Sequence, residues 1–173
     1  MMSDFTNNAI EIDQLPKYQE VRLNSLHPNY WKVILINISI SFLLCGVGLA
    51  AFIYFNERVR PYAPYLIGTF VLVLILVILL YRASFKKRGF SLREKDIIYK
   101  SGIIAETTSV IPFNRIQHVA LNEGMFSRMY RLATLQIYTA GGSSGHMSIA
   151  GIPADQAKPM KEALLKKLSL VEQ

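Results

Sequence analysis

The sequence predicts a membrane protein: a hairpin of two transmembrane helices, then a small α+β domain whose strands close into a barrel plugged by a C-terminal helix. Three observations predict it. Apolar residues gather into two uncharged runs, residues 33–55 and 62–81. Beyond them the pattern mostly alternates with period two, as in half-buried strands. The stretch 154–170 then changes to a helical period.

Composition sets the bounds. Of 173 residues, 51% are hydrophobic and 18% charged, against about 25% charged in an average soluble domain. This excludes a disordered chain, a collagen and a polar linker. The single cysteine, Cys45, excludes a disulfide framework and any multi-cysteine zinc site. A net charge of +7 makes an anionic surface a natural neighbour.

A helix needs about 20 apolar residues, at roughly 1.5 Å rise each, to cross about 30 Å of hydrocarbon. Both runs qualify, and neither carries the polar stripe of a helix buried in a soluble core. The first run begins too far into the chain, and is too long, for a signal peptide with its apolar core of about 7–15 residues. Only residues 56–61 join the runs, so the helices are antiparallel, with Pro61 and Pro64 helping to begin the second.

Basic flanks give direction. Arg82, Lys86, Lys87, Arg88, Arg93 and Lys95 follow the second run, and Lys17, Arg22 and Lys32 precede the first. The connecting loop holds only Arg58 and Arg60. Excess positive charge stays inside, which predicts both termini in the cytoplasm and the loop outside. Tyr30, Trp31 and Tyr81 fall at the inner interface, and Tyr54, Tyr62 and Tyr65 at the outer one. The chain thus divides into a cytoplasmic arm (1–32), a hairpin (33–81) and a cytoplasmic domain (82–173). The arm has too few apolar residues to fold alone and is expected to lie on the surface.

Asn37, Ser41, Leu44, Gly48 and Ala51 share one face of the first helix. Small and polar residues on one stripe let helices approach closely in lipid. The stripe serves contact within the hairpin or contact with another membrane protein; both use the same packing. Neither run contains Asp, Glu, Lys, Arg or His, which argues against an ion or proton path.

In the domain, 84–93 reads as a strand, 94–96 as a turn and 97–101 as the returning strand. Gly102 breaks the run, 104–111 is a third strand, and Pro112 ends it or marks an edge. A fourth strand spans 116–121. Residues 125–132 hold one helical turn, and strands 134–139 and 147–152 flank a glycine-rich hairpin loop, 140–146. In the tail, Met160, Ala163, Leu164, Leu168 and Val171 share a face. Pro159 removes a backbone donor, so the helix either starts near Lys158 or bends there.

Little in the sequence points to chemistry. Gly141, Ser143 and Gly145 match G-x-S-x-G, but a nucleophile elbow needs a following helix and a downstream histidine. A strand follows, and no histidine lies beyond His146. His27, His118 and His146 are far apart, and no carboxylates pair for acid–base work. The sequence therefore predicts no catalytic residue, no metal and no cofactor. Arg82, Lys86, Lys87 and Arg88 form the one dense basic cluster. It is a topology signal and also a candidate contact for anionic lipid headgroups. Nucleic-acid binding would want a basic stripe with interleaved aromatics on an accessible face, and no such partner is expected.

The order of these features resembles a family. A two-span hairpin and a basic juncture come first, then Gly102, then the segment 111–119 (Ile-Pro-Phe-Asn-Arg-Ile-Gln-His-Val). Arg128, the segment 132–135 (Leu-Ala-Thr-Leu) and the segment 139–142 (Thr-Ala-Gly-Gly) follow. Together they resemble the YdbS-like bacterial pleckstrin-homology (PH) membrane proteins over about residues 20–170. The resemblance implies a PH-like split β-barrel capped by the C-terminal helix. It implies a membrane-associated interaction module rather than an enzyme, with a larger relative carrying several such domains as a partner. It carries over no headgroup-binding motif. The family usually has glycine where this chain has Arg131, which puts the geometry of that turn in question.

The functional expectation is a non-enzymatic, membrane-anchored interaction module working with a membrane-protein partner or as a homo-oligomer. Arg115 and Gln117 are its candidate contact residues, or else polar groups satisfied at the core edge. Asn37, Ser41, Gly48 and Ala51 are its candidate packing residues in the bilayer. The alternative is a sensor of anionic lipid through the basic juxtamembrane cluster.

Overall fold

The computed structural model describes residues 21–103, 105–139 and 146–171, with 168–171 as backbone alone. The expected strand start at Ile104, the loop 140–145 with its G-x-S-x-G match, and the arm up to residue 20 lie outside the described residues.

Helix α1 (Asn29–Phe55) and helix α2 (Ala63–Lys87) form the hairpin. Val and Ile are modest helix formers in water, but backbone groups in hydrocarbon must pair internally, which a helix achieves. The helices are about 40 Å long at roughly 1.5 Å per residue, so each exceeds the hydrocarbon and extends into the domain. Between them Arg60 Nη2 donates to Tyr54 O at 3.0 Å, closing the loop. A 3-10 turn, Arg60–Tyr62, leads into α2, with Pro64 in its first turn. Facing rings at Phe42 and Phe70 lie 5.4 Å apart, and a Cβ at Gly46 would rest 3.6 Å from the Phe70 ring. The apolar stretch of α1 is only 17% buried and that of α2 0%. A helix pair from a soluble core would be covered instead.

Strand β1 (Asn24–Ser25) precedes α1, and strands β2 (Gly89–Leu92), β3 (Asp96–Ser101) and β4 (Thr107–Pro112) follow α2. They form an antiparallel sheet in the order β1-β2-β3-β4. The expected strand over 84–93 is corrected: α2 runs through Lys87, and the strand begins at Gly89. No breaker interrupts residues 82–87, and Ser84 and Phe85 pack on the inner helical face, so the helical period persists past the last apolar residue. Gly89 allows the arm to approach, since a Cβ there would fall 2.9 Å from Leu23 Cβ. Gly102 ends β3 with φ +120.

A 3-10 turn, Phe113–Arg115, passes the chain to a second antiparallel sheet, β5 (Ile116–Asn122), β6 (Leu132–Thr139) and β7 (His146–Pro153), in the order β5-β6-β7. Helix α3 (Met125–Met129) lies between β5 and β6, and Leu132 belongs to β6 rather than to the helical turn. Helix α4 (Ala154–Val171) is continuous through Pro159, so neither expected break is needed. Proline removes one intrahelical hydrogen bond, a loss that packing of the helix on the core outweighs.

One core joins the pieces. Phe90 and Ile97 from the first sheet meet Val119, Leu135, Ile137 and Ile149 from the second, with Ala157 and Leu164 from α4. Leu26 from the arm enters the same core at 4% exposure, so the end of the arm is part of the domain. On α4, Ala163 is exposed while Ala157 is buried, which rotates the buried face from the expected one. The two sheets remain separate ladders among the described residues, and neither is closed on itself.

Candidate functional site

The junction between hairpin and domain is built first by Tyr30 and Trp31. Their rings lie 6.5 Å and 6.0 Å from that of Phe85 on α2, and the Arg82 guanidinium sits 5.5 Å from the Trp31 ring. His27 N donates to Gly151 O at 3.0 Å. Gly151 takes φ +76, and a Cβ there would meet Tyr30 Cγ at 2.6 Å. Lys32 Nζ lies 5.8 Å from the Tyr130 ring. The helix start is therefore held by β7, by α2 and by the segment after α3.

The basic cluster does not form one patch, because a helix turns about 100° per residue. Arg82 and Lys86 are exposed and one turn apart. Lys87 turns to the domain, donating to Ile103 O at 3.1 Å and pairing with Glu106 at 3.1 Å. Lys100 meets the same carboxylate at 2.7 Å. Hydrogen bonds from Lys100 and Lys87 hold Glu106 below the ordinary glutamate range. Arg88 Nε donates to Ser84 Oγ at 3.2 Å and is half-buried. Lys86 makes no ion pair among the described residues.

Arg115 ends the 3-10 turn and Gln117 follows it; both are exposed. The β5–β6 register shifts between Ile116 and His118, leaving Gln117 as an extra residue in a bulge. Such a bulge re-aims side chains. Ile116 and Val119 point inward while Gln117 and His118 both face outward. His118, Tyr138 and His146 are opposite one another across β5, β6 and β7, with ring centroids 5.8 Å and 4.8 Å apart. The outer sheet face thus carries a row of three rings, with Gln117 exposed in the bulge next to His118 and Arg115 exposed in the turn before it. Alternation in β6 and β7 contained that row, but only the bulge puts His118 in it.

In the hairpin, Asn37, Ser41, Leu44, Gly48 and Ala51 are all exposed, on the side of α1 away from α2. A Cβ at Gly48 would meet nothing within 4 Å. The hairpin packs through Phe42 and Gly46 instead, and Asn37 Nδ2 satisfies itself on Val33 O at 3.0 Å. Among the described residues no three of His, Cys, Asp and Glu gather as metal ligands would.

Sequence reasoning missed that Arg131 keeps the left-handed turn, with φ +54. Its carbonyl accepts from Ala154 N at 2.9 Å, where α4 begins. It also missed the docking of the arm, for which Leu26 between polar neighbours was too weak a signal.

The model of the Bacterial PH domain family matches residues 33–168. This chain belongs to the bacterial PH domain family. The match takes in the hairpin as well as the sheets. The protein is 28% identical over 141 residues to UPF0699 transmembrane protein YdbS of Bacillus subtilis (strain 168), covering 78% of this chain and 83% of that one. It is 31% identical over 116 residues to UPF0699 transmembrane protein YdbT of the same organism, covering 65% of this chain but 22% of YdbT. No solved structure matches it. This bacterial PH domain protein is a YdbS-like membrane protein, and its two exposed apolar helices are the segments suited to the bilayer.

Proposed function

We propose that this bacterial PH domain protein is a non-enzymatic interaction module in a membrane assembly. The hairpin crosses the cytoplasmic membrane with both termini inside. The two sheets act as halves of a PH-like split barrel, and α4 caps it. The domain presents the outer face of β5-β6-β7 to a partner at the membrane surface. The observation that carries this reading is the exposed row of His118, Tyr138 and His146, with Arg115 and Gln117 exposed just before it in the chain. Aromatic and arginine side chains are favoured as interface anchors. The partner is a larger membrane protein carrying the same kind of domain, a reading supported by the similarity to YdbT over part of its length. The outward stripe of Ser41, Gly48 and Ala51 suits a contact in the bilayer plane with the same partner.

The test is crosslinking of the C-terminally tagged chain in intact cells, solubilisation in mild detergent and identification of what co-purifies in stoichiometric amount. A larger relative with several such domains is the expected result. Recovery of the chain alone, or an Arg115→Glu/Gln117→Ala chain that assembles like the parent, overturns the reading.

A second reading, recognition of anionic headgroups, is favoured by Arg82 and Lys86, exposed one turn apart at the inner end of α2. It predicts that the detergent-purified full chain retains phosphatidylglycerol over phosphatidylcholine in native mass spectrometry. Arg82→Gln/Lys86→Gln would remove that preference; equal retention of both lipids by the parent sinks the reading.

A further inference from the structure

We infer that α3 is a third point of bilayer contact, a short interfacial helix through which the domain itself rests on lipid. Met125 and Met129 enter the boundary between headgroups and acyl chains, and Arg128 stays at the level of the phosphates. The inference rests on the membrane location of the chain and on no partner, so it stands whether or not the assembly reading does.

Met125 is 76% exposed and Met129 70%, more than any other large apolar side chain of the described domain. Residues four apart on a helix share a face, so the two thioethers form one apolar surface. Singly exposed apolar residues are ordinary, whereas a pair on one face beside a membrane helix needs a covering phase. The position of α3 supplies one. Just beyond α3, the Tyr130 ring lies 5.8 Å from Lys32 Nζ, and Lys32 is the last charge before the uncharged run of α1. Trp31 with Arg82 over its ring marks the same level on the hairpin, where aromatic and basic side chains gather at a membrane interface. Val33 and Ile34, the first apolar residues of α1, are buried at 4% and 8% exposure. The domain is seated beside this part of α1, where acyl chains begin, because α3 and β7 pack against α1, and the Met pair lies on the helix that makes that contact.

Charge agrees with lipid as the occupant. The side chain of Arg128 is 80% exposed and only approaches Glu123, at 4.0 Å. It lines a recess beside α3 together with Arg131 and Lys158, against Glu123 and Asp155. With Lys32 alongside, cations exceed carboxylates on this side, as an anionic leaflet favours. An arginine beside an apolar face can lay its stem on lipid and keep its head at the phosphates. Methionine, unbranched and polarizable, adapts to an irregular surface of acyl chains. Hairpin and domain packed as one unit can still tilt together in the bilayer; a third contact off the hairpin axis limits that tilt.

The test uses the full chain with Cys45→Ser, carrying one nitroxide-labelled cysteine at a time through Met125→Cys, Met129→Cys, Glu162→Cys or Leu43→Cys. Each chain is reconstituted into mixed phosphatidylcholine–phosphatidylglycerol vesicles. Accessibility to oxygen, which concentrates in lipid, is compared with accessibility to a water-soluble nickel chelate. Glu162 is exposed on α4 and reports water; Leu43 is exposed on α1 and reports lipid. Labels at 125 and 129 are expected to favour oxygen, at a depth between those two references. Nickel accessibility equal to that at 162 overturns the inference. Shelter from both reagents also overturns it, by placing protein rather than lipid on α3.

Discussion

Tyr30 lies against Gly151 so closely that a Cβ at 151 would stand 2.6 Å from Tyr30 Cγ. The contact joins the first turn of α1 to β7, and the neighbouring hydrogen bond from His27 N to Gly151 O reinforces it. Hairpin and domain are thereby one packed unit.

Gly151→Ala tests that unit. The substitution forces an L side chain to φ +76, which costs about 1–2 kcal/mol, and pushes Tyr30 from its seat. A lower melting temperature in detergent is expected, with a changed emission spectrum of the neighbouring Trp31. An alanine chain with the parent melting temperature and spectrum would show that the contact holds nothing in place.

Arg131 supports a different expectation. At φ +54 its backbone is held on both sides, donating to Arg128 O at 3.1 Å and accepting from Ala154 N at 2.9 Å. Glycine adopts this region freely, though it loses more chain entropy on folding. Arg131→Gly should therefore melt at or above the parent. Arg131→Val, branched at Cβ, should lose about 1–2 kcal/mol. Equal melting of the arginine and valine chains would contradict the left-handed turn.

Glu106 ties the end of α2 to β3 through Lys87 and Lys100. Those two ammonium groups lower its pKa in the folded chain, so its contribution is present above the unfolded glutamate pKa. That contribution is lost as pH falls through the folded value. Glu106→Gln should melt lower than the parent at neutral pH, with the difference closing in acid and shrinking in high salt. A difference that stays constant from neutral to acid pH would assign the effect to something other than the charge.

Leu164 on α4 is 1% exposed and belongs to the core shared by both sheets. Removing it leaves a cavity, and Leu164→Ala should cost about 2–5 kcal/mol. Leu165→Ala, at a position 43% exposed on the same helix, should be nearly neutral. If the two variants melted alike, α4 would not be the cap of the core.

The strands beyond Gly89 were legible where aliphatic side chains are buried. Ile97 and Ile98, Leu135 and Ile137, and Met147 and Ile149 sit in runs whose β-branched and aliphatic residues favour a pleated, packed surface. The end of α2 was not legible, because residues 84–88 hold a single apolar side chain, too few to show a helical stripe, while Phe90 and Leu92 just beyond alternate with polar neighbours as a strand does. The candidate surfaces were half legible. Arg115 and Gln117 were singled out by their place in the chain, but Arg115 is exposed at the end of a 3-10 turn and Gln117 in a bulge, and no local pattern announces either. The basic cluster looked like one patch along the chain, and helical rotation separates Lys86 from Lys87 and gives Lys87 to Glu106.

Local chemistry by itself determined the two apolar helices, their tight antiparallel join, most of the strands and the final helix. Each follows from interactions within a few residues: apolar length, side-chain period, proline and glycine placement. Only the tertiary structure decided that the arm adds β1 and Leu26 to the domain, that the small-residue stripe of α1 faces away from α2, and that α3 stands beside Lys32. Those outcomes depend on which surfaces meet after the chain has returned from far away in sequence. A residue's own neighbours carry no record of that meeting.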